Sequence, residues 1–142
     1  MSNICAGIGR GQMEVLGDRI EARRGVTKFY SDLFAGIDGV RVLTEPSEDF
    51  YSNHWLAAIT IDEALTGISR EDLRLALLED NIESRPLWKP MHLQPVFENS
   101  PYYGSNVAEK LFDTGLCLPS GSNLTDAEKE RIRIKIKQVF DK

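Results

Sequence analysis

Apolar residues recur at three- to four-residue steps along positions 11–35, as Met13, Leu16, Ile20, Val26, Phe29, Tyr30 and Leu33. Glu14, Asp18, Glu21, Arg24 and Lys28 fill much of the remainder, so one long amphipathic helix is predicted there. It should end at Gly36, in the sequence Gly-Ile-Asp-Gly at 36–39, because glycine accepts the positive φ of a helix end. The period then changes. Positions 40–44 and 55–61 read as strands, the second a nearly continuous apolar run, joined by a polar connection at 45–53 that contains Pro46.

A further helix is predicted from Ser69, whose hydroxyl can cap it. Asp72 takes the capping-box position, Ile68 and Leu73 are placed as a hydrophobic staple, and Leu73, Ala76, Leu77 and Leu78 would form its buried stripe. From 83 to 103 the character shifts, since Pro86, Pro90, Pro95 and Pro101 exclude a regular helix and imply a shaped, extended connector. A short helix follows after Ser105, through Val107, Ala108, Leu111 and Phe112 to Gly115, and then a short strand at 116–118. Positions 131–137 alternate like a strand. Thr125-Asp126-Ala127-Glu128 is nevertheless a capping-box sequence, and Ile132, Ile136, Val139 and Phe140 share a helical face, so the last element is predicted to be a helix. Together these give a single α+β domain, a long N-terminal helix and a small, mostly antiparallel sheet covered by helices.

With 142 residues, a chain of this size buries roughly two-thirds of its unfolded surface, enough for its own core. The formal charge of -5 argues against a nucleic-acid partner or an anionic membrane surface, both of which need clustered cations. No apolar run is long enough for a membrane helix, and the N-terminus lacks the apolar centre of a signal peptide, so a cytoplasmic location is expected. Cys5 and Cys117 have no metal-like spacing and are expected as reduced, mostly buried thiols.

Candidate chemistry is sparse. Gly7, Gly9 and Gly11 invite an anion-cradling reading, but the spacing fits neither dinucleotide nor P-loop patterns, and close packing of a helix start is preferred. His54 and His92 lie beside no candidate nucleophile and have no ligand spacing, so neither a triad nor a metal site is expected. The run from 83 to 95 differs, because it gathers Arg85, Trp88, Lys89 and His92 on a proline-stiffened segment. Arg85 offers a planar fork for phosphate oxygens, Lys89 a point charge, His92 a donor or acceptor and Trp88 a flat apolar face. Such a set suits a sugar nucleotide. Each residue also has a plainer role, with Arg85 in a surface salt bridge, Trp88 in the core, Lys89 in solvent and His92 satisfied within its loop. Nothing near Lys89 supplies the partners that a pyridoxal phosphate (PLP) site requires. The basic residues Lys129, Arg131, Arg133, Lys135 and Lys137 are expected to form the solvated face of the last helix.

Over essentially the whole chain the sequence resembles the C-terminal part of the DegT/StrS-type PLP-dependent sugar aminotransferases. The segment Met1-Ser2-Asn3-Ile4-Cys5-Ala6-Gly7-Ile8-Gly9 with Gln12 is similar to the family's stretch following an Asn-x-Arg motif. Glu83-Ser84-Arg85-Pro86 through Met91-His92-Leu93-Gln94-Pro95 resembles that of sugar-nucleotide 4-aminotransferases of the bacillosamine and perosamine type. Leu116-Cys117-Leu118-Pro119-Ser120 with Leu124-Thr125 resembles the closing strand and loop. The resemblance implies the small domain of a fold-type I enzyme, usually a homodimer, that moves an amino group from glutamate to a UDP-linked 4-keto sugar through PLP. It also implies that the Schiff-base lysine lies in a large domain outside this chain, so that no catalytic residue is expected here and no PLP on this chain alone. By carry-over, Arg85, Trp88, Lys89 and His92 would border the hexose and diphosphate, and Ser2 and Asn3 would lie near the join to that large domain. A free-standing binding module of the same fold, or a sugar dehydratase relative in which histidine replaces the lysine, remain alternatives.

Overall fold

Of the apolar stripe predicted for the long helix, Val26 and Tyr30 are buried with Phe29 and Leu33 half-buried, and the sheet forms against them and Phe34, whereas Met13 and Leu16 are exposed. A computed structural model describes residues 2–141, so that Met1, the first residue of the family-like N-terminal segment, and Lys142 lie outside the described residues. The chain forms helices α1 (Asn3–Glu14) and α2 (Leu16–Phe34), strands β1 (Val40–Val42) and β2 (Ala57–Ile61), and helices α3 (Glu63–Thr66) and α4 (Arg70–Glu79). Strand β3 (Arg85–Pro86), two 3-10 turns (Met91–Leu93 and Pro95–Phe97), helix α5 (Val107–Thr114), strand β4 (Gly115–Leu118) and helix α6 (Asp126–Phe140) follow. All strand pairs are antiparallel, in the order β1-β2-β4-β3. The architecture is the expected α+β one.

The core lies between the sheet and helices α2, α4 and α6. Ala57, Ile59 and Ile61 alternate with half-buried Ala58 and Thr60, the period-two signature of a strand with one face inward. They meet Leu116 and Leu118 of β4, Leu73 and Leu77 of α4, and Ile132, Ile136 and Val139 of α6. Both predicted capping boxes are present, the Ser69 hydroxyl accepting from Asp72 N and that of Thr125 from Glu128 N. At Gly39, where φ is +90°, a Cβ would lie 2.8 Å from Leu65 Cβ, so the turn into β1 requires glycine twice over.

Several expectations change. The first helix begins at Asn3 rather than near 11, capped by the Ser2 hydroxyl, and it is interrupted at Val15, whose φ of -111° and ψ of 9° leave the helical basin. Gly7, Gly9 and Gly11 therefore sit inside α1, where a Cβ would meet nothing within 4 Å, and the close packing expected of them does not occur among the described residues. Cys117 is buried but Cys5, on this unpacked helix, is exposed. Leu78 faces solvent, because the stripe of α4 narrows to Leu73 and Leu77 with Ala76 beside them. The basic face of α6 is also only partly solvated. Lys135 Nζ lies 3.3 Å from Asp80 Oδ1 and 3.4 Å from Glu79 Oε2, and Arg131 donates to the Asp80 carbonyl, so cations close the negative end of α4.

Candidate functional site

The shortest strand positions the site. Two-residue β3 pairs with β4, placing Arg85 opposite Cys117 and Pro86 opposite Leu116. Pro86 is tolerated because β3 is an edge strand, where a missing N–H costs no ladder bond. Gly115 is required beneath it, since a Cβ there would collide with the Leu87 side chain and the Leu111 carbonyl. Trp88 then leaves the sheet edge and meets Trp55, just before β2, with ring centroids 6.0 Å apart and planes inclined by 31°. Both indoles are largely open to solvent, Trp55 at 59% and Trp88 at 66%.

These two rings border a cleft of about 670 Å³, within the range of small-molecule sites. Cys117 and Leu118 of β4 line it, together with residues 81–86 and Asn123, Leu124, Arg131 and Ile132. Its rim is anchored by three side chains, of which Tyr30 belongs to the core. Arg23 Nη1 donates to the carbonyls of Trp55 and Ser120. The Tyr30 hydroxyl donates to the Pro119 carbonyl at 2.9 Å. Ser120 Oγ accepts from Ala57 N at 2.7 Å and donates to the Leu118 carbonyl at 2.6 Å.

The loop leading to Trp55 is fixed by a charged knot. Glu45 Oε1 accepts from Arg24 Nη1 at 2.8 Å and from Ser52 N at 3.1 Å, while His54 Nε2 donates to Glu45 Oε2 at 3.0 Å. An ionised carboxylate only accepts, so Nε2 carries the imidazole proton. The Glu45 backbone N–H, the Arg24 guanidinium and the Ser52 N–H hold the Glu45 carboxyl down at about 2. His54 sits at φ +45°, unusual for a residue other than glycine, and the knot holds it there.

Of the residues singled out from sequence, the structure brings Arg85 and Trp88 to this cleft. Arg85 Nε donates to Glu83 Oε1 at 2.8 Å, but both side chains are about three-quarters exposed, and an ion pair of this kind stabilises by only ~0–1 kcal/mol. Its fork can therefore be given up to another anion at little cost. Trp88 is not in the core. Lys89 is exposed beside the cleft without lining it. His92 is engaged elsewhere, donating from Nε2 to Glu109 Oε1 at 2.8 Å and stacking on Tyr102 at 3.8 Å. Ser2 caps α1 and Asn3 is its first residue, and neither lines the cleft. Sequence reasoning missed Trp55, whose apolar neighbours made it look like strand core, and the Arg23, Arg24, Glu45 and His54 contacts that hold it.

No lysine lines the cleft among the described residues. Lys28, Lys129 and Lys135 are paired with carboxylates, and Lys89, Lys110 and Lys137 are exposed. The described residues of this cleft thus do not by themselves fit PLP, which needs a lysine amine held against its ring. Among the described residues no group of three His, Cys, Asp or Glu side chains could hold a metal ion. No helix is long and apolar enough to cross a membrane, again among the described residues.

Solved aminotransferases share this architecture. DesI, determined in the presence of its TDP-sugar product, superposes with a TM-score of 0.83 at 25% identity over 97% of this chain and 35% of that one. The fold is thus that of an aminotransferase portion. The chain belongs to the DegT/DnrJ/EryC1/StrS aminotransferase family, whose model matches residues 1–137. It is 44% identical to EpsN of Bacillus subtilis (strain 168), provisionally described as a pyridoxal phosphate-dependent aminotransferase, over 93% of this chain and 34% of EpsN. It is 31% identical to the GDP-perosamine synthase of Vibrio cholerae over 99% of this chain and 38% of that enzyme. The chain therefore spans little more than a third of the curated relatives it matches.

Proposed function

We propose that this chain is the C-terminal, substrate-facing domain of a longer PLP-dependent enzyme that transfers an amino group from glutamate to a UDP-linked 4-keto sugar. The family match over residues 1–137 carries the reading, and likeness to a perosamine synthase supports a sugar-nucleotide substrate. The cleft supports it further, with a guanidinium and an indole at its rim.

Held by the longer polypeptide, PLP would supply an electron sink and a carrier for the amino group. Its lysine belongs to the remainder of the longer polypeptide, and this chain supplies binding and orientation. Arg85 exchanges Glu83 for the diphosphate, where two parallel N–H bonds fix both position and direction. Trp88 covers the ligand's flat face and keeps water from it. Lys89 and His92, which lie outside the cleft, would border the hexose from the side that the longer polypeptide completes, and Ser2 and Asn3 lie toward the join with the large domain. The longer polypeptide works as a homodimer in the cytoplasm.

The test is an amination assay. The longer polypeptide with glutamate and a UDP-4-keto sugar is expected to yield the 4-amino sugar nucleotide, while the 142-residue chain with PLP yields none. Turnover by this chain alone, or no amination of any 4-keto sugar nucleotide by the longer polypeptide, would overturn the reading.

A further inference from the structure

We propose that Trp55, together with Trp88, forms a platform on which the base of a nucleoside diphosphate stacks, leaving the diphosphate to Arg85. The ligand class rests on the function proposed above, but the platform rests on geometry. Two indoles from segments more than thirty residues apart meet at 6.0 Å, yet each keeps over half of its surface in solvent. Adjacent exposed aromatic faces at the mouth of a cleft mark an interaction site rather than ordinary surface. At this separation the rings already touch, so a third ring adds to the open faces and does not enter between them.

The backbone that carries Trp55 is tied down in the free chain. Arg23 holds the Trp55 carbonyl, and Trp55 N donates to Asn53 Oδ1 at 3.1 Å. The preceding residue, His54, is kept at positive φ by the Glu45 and Arg24 knot. Anchoring that backbone in advance removes part of the ordering cost of binding. Every base has a π-face, so stacking alone is tolerant of base identity. Asn81 and Asn123 line the same cleft, and a primary amide offers both a donor and an acceptor to a base edge. Selection among bases therefore falls to these two residues.

The chain contains two tryptophans, Trp55 and Trp88, and both lie at this cleft, so its tryptophan fluorescence reports on this site. The chain is titrated with UDP, and separately with inorganic pyrophosphate, using excitation at the red edge of the indole band where nucleotides do not absorb. Saturable quenching by UDP and none by pyrophosphate is expected. Trp55→Leu should weaken UDP binding roughly tenfold, the scale of one base–aromatic stack, whereas Trp55→Phe should retain most of it. An equal response to pyrophosphate, no saturable response to UDP, or unchanged affinity in Trp55→Leu overturns the platform. Failure here is separable from failure of the proposed function. Amination by the longer polypeptide with an unchanged sugar-nucleotide KM in Trp55→Leu removes the platform and leaves the activity standing. Base-dependent quenching without amination supports the platform and removes the activity.

Discussion

His54 Nε2 donates to Glu45 Oε2 at 3.0 Å, with the imidazole 9% and the carboxylate 17% exposed. Around this contact the chain between β1 and β2 is tied to α2, because the other Glu45 oxygen accepts from Arg24 and from Ser52 N. The Glu45 carboxyl is held down at about 2 in the folded chain, below its ordinary value of about 4.5. Its folded value is the lower one, so its contribution is complete above the unfolded value and is lost as pH falls toward the folded one. Glu45→Gln is expected to melt at lower temperature than the wild type at neutral pH. The two melting curves should converge as pH is lowered to about 2. Melting temperatures that differ by the same amount across this range would show that the knot does not couple stability to pH.

The Tyr30 hydroxyl donates to the Pro119 carbonyl from a fully buried ring, and burial pushes its ionisation well above the usual phenol range. Tyr30→Phe keeps the ring and deletes the donor, leaving the carbonyl short of a partner. A loss of about 1–3 kcal/mol is expected, measured by urea unfolding. No loss would mean that water reaches Pro119 as readily as the hydroxyl does.

The fold was legible wherever its cause was local. Both capping boxes span four consecutive residues, and the helices they start appear where the sequence places them. Ser2 was equally local, but the glycines at 7, 9 and 11 hid the helix that it caps. The cleft was not legible for a different reason. It depends on Arg85 pairing opposite Cys117, a contact between segments about thirty residues apart that no periodicity announces. Trp55 was hidden because an apolar run looks alike whether its first residue turns inward or is left outside by a positive φ at His54. The hydrogen bond of His92 was not legible either, because its partner Glu109 lies on α5, outside the 83–95 segment.

Thr125 accepts from Glu128 N at 3.3 Å while Glu128 Oε2 accepts from Thr125 N at 2.8 Å. Because α6 carries Ile132, Ile136 and Val139 into the core, its first turn matters to the whole domain. Thr125→Ala should cost ~1 kcal/mol in chemical denaturation, and Thr125→Ser should restore most of it. Equal losses in the two variants would trace the effect to the methyl group and not to the cap.

The two thiols should separate cleanly by reactivity. The thiolate is the reactive form, so a cysteine must both reach solvent and ionise. Cys5 lies on the exposed α1, whereas Cys117 is buried in β4, and burial pushes its thiol up from the ordinary value. Iodoacetamide at neutral pH is expected to add one label to the native chain, located at Cys5 by peptide mapping, and a second only after denaturation. Cys5→Ser should then remain unlabelled while folded. Because Cys117 lines the cleft beside Arg85, the onset of its labelling in urea also reports when β3 leaves β4. Labelling that begins below the global unfolding transition would show that this two-residue edge strand opens independently of the core.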